Sequence, residues 1–211
     1  MTAKRILAKL LQKVQGLKSL MTRFHEGAIK DRVAINIVMN KQNIGELDTT
    51  IRFFSELGIT DMRLLIIRPE GYAFENFGIM VPRLTEVREK IPSVILLARR
   101  RKLKVMMDPP PFCLFYDIPG FNRILARDYL DFVVADAPDR EIREVFSWNE
   151  FRIRNKTKEA CCADCCFTKI CEGVWDGYVK VFGFGEFHPV SKEMLSSIGK
   201  PVVPHPRCPE C

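Results

Sequence analysis

The alternation of apolar strands with helical segments constrains the fold of this 211-residue chain more than any other feature. Apolar residues at three- and four-residue steps predict an amphipathic helix from the start to about Arg23. Three apolar strands follow it, predicted at residues 33–39, 62–67 and 103–107. Helices through residues 44–57 and 85–97 connect these strands. Such nearly continuous apolar runs are typical of parallel strands covered on both faces. The order predicts right-handed βαβ units, and therefore an α/β fold with a parallel sheet.

Local signals refine the helix ends. Thr85 can cap the third helix, and Pro92 predicts a kink or a restart within it. The basic run at residues 99–102 would end that helix, where cations interact favourably with the helix dipole. A loop rich in Pro, Gly and Phe is expected at residues 69–82. Three strands are few for a self-sufficient α/β domain.

A cluster of cysteines is the strongest chemical signal, because five of the eight cysteines lie between positions 161 and 171. Within it, Cys162, Cys165 and Cys171 have the spacing Cys-x2-Cys-x5-Cys. A tight turn after the first ligand directs the second thiolate toward the same centre, which suits a tetrahedral metal or an iron–sulfur cluster. Cys113 follows the third strand at the carboxyl edge of the sheet, where sites collect in α/β folds. As a fourth ligand it would complete a [4Fe–4S] cluster.

Several alternatives remain open for these cysteines. The neighbours Cys161 and Cys166 permit other registers, such as Cys161-x3-Cys165. Zinc is the main alternative to an iron–sulfur cluster. It would be held by Cys162-x2-Cys165 together with the terminal pair Cys208 and Cys211. The gap between the two pairs exceeds the usual spacing of about 15–20 residues. Free or disulfide-bonded cysteines are the third alternative. The three histidines show no catalytic spacing, and no nucleotide-binding or nucleophile motif occurs.

Composition allows a folded core and excludes few functions. The chain is 47% hydrophobic, so it does not need cysteine cross-links for stability. Its start interleaves lysines with leucines, unlike a signal peptide, and no apolar stretch reaches the roughly 18 residues that span a membrane. We therefore expect a cytoplasmic, reducing setting, where clustered cysteines bind metals more often than they form disulfides. The net charge of +7 permits a polyanionic partner but does not require one.

The order of these pieces resembles the C-terminal half of a radical S-adenosylmethionine (radical SAM) enzyme that carries an auxiliary iron–sulfur region of the SPASM or twitch type. Residues 33–43, 64–71 and 105–113 resemble the fourth, fifth and sixth strands of that β/α barrel with their exits. The most specific part is the tail, which is similar to the auxiliary region in its cysteines and in the spacing of Phe167, Gly173, Tyr178, Gly183, Glu186 and Pro189.

One departure limits what the resemblance implies. The family's Cys-x3-Cys-x2-Cys motif, which binds the cluster that cleaves SAM, is absent, because Cys161-x3-Cys165 is followed by Thr168 where a cysteine is required. The first three barrel strands are also missing. We therefore expect a chain that does not cleave SAM alone: a fragment or split gene product that needs an N-terminal partner, or a degenerate relative that keeps only the auxiliary cluster.

In the complete enzyme the family implies reductive cleavage of SAM to a radical that abstracts a substrate hydrogen. The resemblance then makes four residues candidates for SAM contacts. Asn36 lies on one strand face with Ala34 and Val38, and the others stand at strand exits, namely Asn40, Asn43 and Arg68. The alternative for Asn40 and Asn43 is that they only make the turn, for which asparagine is well suited.

The resemblance also predicts an organisation and a set of partners. We expect the C-terminal half of a β/α barrel at 1–120, an unassigned connecting segment at 121–157 and a cysteine-rich auxiliary cluster region at 158–211. Expected partners are an N-terminal half-barrel or a second copy covering the open sheet edge, an electron donor protein, and a peptide or small-molecule substrate. No membrane is expected. The alternative function is a basic, zinc-binding interaction module that binds nucleic acid. The radical SAM interpretation does not predict a nucleic-acid partner.

Overall fold

The computed structural model describes residues 3–27, 33–125, 133–136 and 144–197. The helices, which include short single-turn pieces, are α1 Ala3–His25, α2 Leu47–Glu56, α3 Tyr72–Glu75, α4 Phe77–Met80, α5 Leu84–Arg101, α6 Phe121–Ile124, α7 Trp148–Arg154, α8 Asp176–Phe182 and α9 Lys192–Ser197. The strands are β1 Ala34–Met39, β2 Asp61–Ile66, β3 Lys104–Met107, β4 Val133–Asp136, β5 Glu144–Ser147, β6 Lys156–Thr157 and β7 Val174–Trp175. The predicted first helix and the three predicted apolar strands are confirmed to within two residues.

A three-stranded parallel sheet in the order β1-β2-β3 forms the centre of the fold. Two small antiparallel pairs, β4 with β5 and β6 with β7, accompany it. The chain is therefore a mixed α/β protein with a parallel sheet, as its pattern predicted. The described strands do not close into a barrel.

Among the described residues, α2 and α5 cover one face of the sheet. Both crossovers advance by one strand in the same direction, so a right-handed connection places α2 and α5 on the same side. Their apolar residues are buried there, among them Ile51 and Ile91, each 0% exposed. On the other face Asn36 is exposed and Val38 is 43% exposed. The expectation that the strands are covered on both faces is therefore wrong for β1.

Two expectations about α5 are also corrected. The helix begins at Leu84, after Arg83, whose backbone N–H donates to Glu86 Oε2 at 2.8 Å, so Thr85 is not its cap. The helix runs without a break through Pro92 to Arg101. Its buried face offsets the roughly 3 kcal/mol that an interior proline costs, because each fully buried aliphatic side chain contributes about 1.5–3 kcal/mol.

The cysteine-rich segment packs onto the same hydrophobic core as the sheet. Buried side chains from this segment join residues of the sheet and α5 in one cluster, namely Phe167, Val174, Tyr178, Phe187 and Val190. The loop predicted at residues 69–82 contains the short helices α3 and α4. Cys208 and Cys211 lie outside the described residues. No helix in the described part of the chain is long and apolar enough to cross a membrane.

Candidate metal centre and adjoining cavity

The four cysteines predicted as ligands line one small cavity. Cys113 lies in a single 3-10 turn, Phe112–Leu114, beyond β3, and Cys162 lies in another, Ala160–Asp164. Cys165 and Cys171 complete the set, and the cavity of about 30 Å³ is also bordered by Cys161 and His188. The cavity is far smaller than the pockets of about 300–1,000 Å³ that bind organic ligands.

Phe167 anchors the turns that present these thiols. Its side chain is 2% exposed, and its ring centroid lies 5.5 Å from that of Phe112 and 6.0 Å from that of Tyr116. The Cys171 backbone N–H donates to the Phe167 carbonyl oxygen at 2.8 Å. Because Phe112 is the neighbour of Cys113, this aromatic contact also holds the cysteine segment against the exit of β3.

Backbone N–H groups are directed at three of the four sulfur atoms. Val190 N–H donates to Cys165 Sγ, and Gly173 N–H donates to Cys171 Sγ, each at 3.4 Å. A backbone hydrogen bond from His188 reaches Cys113. Such donors stabilise a thiolate over a thiol. Gly173 has φ +94°, and a Cβ there would collide with the Thr157 carbonyl oxygen, so this position requires glycine.

Burial opposes ionisation of the same thiols. Desolvation, followed by the charge of the neighbouring Cys171, raises the pKa of Cys113 to about 12 although the backbone bond from His188 lowers it. Burial likewise raises the pKa of Cys171. Thiols in this setting become thiolates when a metal cation supplies compensating charge. The site therefore has the soft sulfur donors that iron–sulfur clusters and zinc both use.

The thiols share a cavity without forming a ready-made metal site. Across the described residues, no set of three or more histidine, cysteine, aspartate or glutamate side chains is arranged to hold a metal ion. Cys161 borders the cavity, with its Sγ 3.5 Å from Glu159 Oε2, whereas Cys166 is not among the residues that line it.

A second, larger cavity of about 290 Å³ lies at the carboxyl edge of the parallel sheet. Its walls come from the exits of all three strands, from the proline run after β3, from α7 and from the β6–β7 pair; they include Val38, Ile67, Arg68, Asp108, Pro110, Arg152, Lys156 and Trp175. Ligands of open α/β sheets bind beyond the carboxyl ends of the strands, which is the position of this cavity.

Three cationic side chains border this larger cavity. Arg152 and Lys156 both donate to the carboxylate of Glu172, at 2.8 and 2.6 Å, and their side chains are only 6% and 7% exposed. The Arg68 guanidinium lies 5.0 Å from the ring centroid of Phe151 and pairs with Glu70. Sequence reasoning did not identify Arg152 or Lys156, because no element was predicted in their segment that would place it near the sheet.

The residues predicted to contact SAM have different surroundings. Arg68 lines the larger cavity, and Asn36 lies on the exposed sheet face beside the Cα of Arg63. Asn40 and Asn43 make the turn: Asn43 Oδ1 accepts from the Asn40 N–H, and Asn43 Nδ2 donates to the Val38 carbonyl oxygen at 2.8 Å. Both polar atoms of the Asn43 side chain therefore form hydrogen bonds within the turn.

A buried polar group joins the C-terminal segment to the start of α5. Glu186 accepts hydrogen bonds from Arg83 at 2.7 Å, from the Tyr178 hydroxyl at 2.8 Å and from the Thr85 N–H at 3.1 Å. Burial raises the pKa of Glu186, but these three donors together hold it below its ordinary value. Because His188 follows closely in the chain, this group also positions the wall of the cysteine cavity.

Comparisons with protein-family models, curated proteins and solved structures found no match to this chain. The residues of the two cavities are therefore the features that point to a function.

Proposed function

We propose that this chain binds a [4Fe–4S] cluster through Cys113, Cys162, Cys165 and Cys171 and acts as the C-terminal part of a radical SAM enzyme. The observation that supports it is the meeting of all four predicted thiols at one cavity, with backbone N–H groups directed at three of the sulfurs. Cys113 is separated from the others by about fifty positions, so their meeting is a property of the fold and not of local spacing.

The spacing of Cys162, Cys165 and Cys171, which resembles that of an auxiliary iron–sulfur region, favours a cluster over zinc. A zinc ion draws four sulfurs to about 2.3 Å from a single centre. A cubane cluster binds each thiolate at a different iron and therefore accepts sulfurs spread around a cavity wall. The four thiols line one cavity, as either group requires, so the metal and sulfide content of the protein distinguishes the two.

A cluster at this position supplies one-electron transfer, since four cysteine ligands leave no iron open for substrate. The chain's own residues orient the ligands and restrict water. Phe167 and Phe187, 2% and 6% exposed, border the cavity and lower its polarity. The N–H groups of Gly173 and Val190 stabilise negative charge on the sulfurs, which raises the reduction potential relative to a site without them.

The half-barrel part of the proposal is supported by the uncovered sheet face. Asn36, Arg63 and Met106 form a row across the three strands on the face opposite α2 and α5. In a closed barrel this face is the lumen. A half-barrel that supplies the missing strands would cover it and pair the outer edge of β1, which removes an association hazard.

The decisive measurement is the metal and sulfide content of protein purified and reconstituted without oxygen. We expect about four irons and four sulfides per chain, with the broad visible absorption of a cluster. Cys113→Ala and Cys162→Ala should lose most of the iron, whereas Cys166→Ala is the matched control and should keep it. Colourless protein with one zinc, or iron loss in Cys166→Ala alone, would overturn the ligand assignment and favour the zinc module.

A second measurement addresses the enzyme assignment. With dithionite as reductant and SAM added, the reconstituted chain should not cleave SAM, because it has no Cys-x3-Cys-x2-Cys motif. Cleavage by this chain alone, at a rate proportional to its iron content, would contradict the proposal that it needs an N-terminal half.

A further inference from the structure

We propose that the cavity of about 290 Å³ at the carboxyl edge of the sheet binds a small organic carboxylate. The charged group of the ligand would lie at the side formed by Arg68, Arg152 and Lys156, and its apolar body against the strand exits and the proline run. The inference stands on this cavity alone and does not require the cluster.

The charge of the lining favours an anion. Three of the charged residues that border the cavity are cationic, and the acidic one, Asp108, accepts a hydrogen bond from Arg63 at 2.8 Å. The Lys156 ammonium is nearly buried, and it shares the Glu172 carboxylate with Arg152. A cation in a partly buried cavity attracts an anion more strongly than a surface cation does, because water screens the charge less, so a negatively charged ligand gains more here than at the surface.

The remaining walls favour an organic ligand over an inorganic ion. Aliphatic and proline side chains make up much of the lining. The Trp175 ring also lines the cavity, with the Lys156 ammonium 4.9 Å from its centroid. The volume is at the lower end of the range for small-molecule pockets, about 300–1,000 Å³. The cavity therefore matches a compact molecule with an apolar body and one charged group.

The donors favour a carboxylate over a phosphate ester. Phosphates in α/β proteins are commonly bound by backbone N–H groups of glycine-rich turns and helix N-termini. The lining glycine here, Gly173, already donates its N–H to Cys171 Sγ. The cations are two guanidinium groups and one ammonium, and a guanidinium binds a carboxylate or a phosphate through two parallel hydrogen bonds. The preference for a carboxylate therefore comes from the Gly173 N–H, which is already engaged.

Trp175 provides a direct reporter. The chain has two tryptophans, so Trp148→Phe leaves Trp175 as the single tryptophan, which can be excited selectively at about 295 nm or above. Titration with para-nitrobenzoate, which quenches tryptophan, should give saturable quenching. The neutral isostere para-nitrobenzamide should bind at least about tenfold more weakly, or about 1.4 kcal/mol. Equal affinity for the acid and the amide would overturn the proposal, as would tighter binding of para-nitrophenyl phosphate than of the carboxylate.

Charge-removing variants locate the site. In the Trp148→Phe background, Lys156→Met should weaken para-nitrobenzoate binding about fivefold or more, a loss of about 1 kcal/mol. Lys180→Met is the matched control, because Lys180 is exposed on α8 and does not line the cavity; it should bind as the parent does. Equal weakening in both variants would refute the site. Iron content measured on the same samples separates failure here from failure of the cluster proposal.

Discussion

Replacing Tyr178 with phenylalanine tests how the cysteine segment is held against α5. The Tyr178 side chain is buried at 3% exposure, and its hydroxyl donates to Glu186 Oε1 and accepts from the Leu84 N–H, both at 2.8 Å. Tyr178→Phe keeps the ring and its packing against Phe182, whose centroid lies 5.0 Å away. The substitution therefore removes only the two hydrogen bonds.

The expected cost follows from these two bonds. A hydrogen bond to a charged group contributes about 1.5–3 kcal/mol, and an unsatisfied buried N–H costs about 1–3 kcal/mol. Glu186 keeps its bonds from Arg83 and Thr85, so it is not left without donors. We expect Tyr178→Phe to lower the free energy of unfolding by about 3 kcal/mol, which lowers Tm by about 6–12 °C in a chain of this size.

Urea unfolding followed by circular dichroism measures this cost, with Tyr72→Phe as the control. Tyr72 is 69% exposed, so its substitution should change stability by less than about 0.5 kcal/mol. A double-mutant cycle with Glu186→Gln should give a coupling free energy of about 1 kcal/mol or more. If Tyr178→Phe costs no more than the control, the hydroxyl does not hold the two segments together and the reasoning is refuted.

The pH dependence of this contribution has a defined sign. Burial raises the pKa of Tyr178 in the folded protein. A group whose folded pKa is raised contributes stability that is fully present below its unfolded value of about 10 and is lost as the pH rises through the folded value. The stability difference between the parent and Tyr178→Phe should therefore shrink only in strongly alkaline solution.

Two further predictions concern the anchor of the cysteine turns and an ion pair near it. Phe167→Ala should destabilise the protein by about 3–5 kcal/mol in urea unfolding, because the side chain is buried. The control Phe53→Ala, at a side chain that is 41% exposed, should cost much less. Equal losses of stability in the two variants would contradict the anchor role of Phe167. The hydrogen bond and charge of Arg88 lower the pKa of Asp117 in the folded protein. The pair therefore stabilises the fold at pH values above the unfolded aspartate pKa of about 3.9. This stabilisation is lost as the pH falls through the lower pKa of the folded state. Since both side chains are about one-third exposed, Asp117→Asn should cost about 1 kcal/mol or less near neutral pH and remove this acid dependence, as measured by unfolding between pH 2 and 7.

Periodicity was sufficient to predict the first helix and the three apolar strands, and the alternation of strands with helices was sufficient to predict a parallel sheet. The pattern of apolar residues responds directly to burial on one side of a helix or strand, so it is readable without tertiary information. It was not sufficient for the coverage of the strands. Ala34, Asn36 and Val38 form the exposed face of β1, and the run around them still looks continuous, because Ala and Val do not reveal which face a helix covers.

The start of α5 shows a similar limit. Thr85 was a reasonable cap from local chemistry, but its backbone N–H donates instead to Glu186, about a hundred positions later in the chain. Pro92 was expected to kink or restart the helix. The helix does not restart there, because burial of the face that includes Ile91 outweighs the cost of the proline. In both places a long-range contact decided against a local preference.

The sequence by itself determined the ligand types and most of the local geometry of the candidate metal centre. Cys162, Cys165 and Cys171 are close in the chain, so short turns bring them together whatever the rest of the fold does. Cys113 was proposed from its place after the third strand, and only the tertiary structure, through the contact of Phe112 with Phe167, brings it to the same cavity.

The cationic cavity was decided by the tertiary structure alone. Arg152 and Lys156 come from a segment without a readable pattern, and they meet Arg68 and the exit of β3 only because the β6–β7 pair folds back over the carboxyl edge of the sheet. Local spacing specifies turns and helix faces, since those depend on neighbouring residues. A cavity between distant segments depends on how their buried surfaces pack, and that information is spread over the whole core.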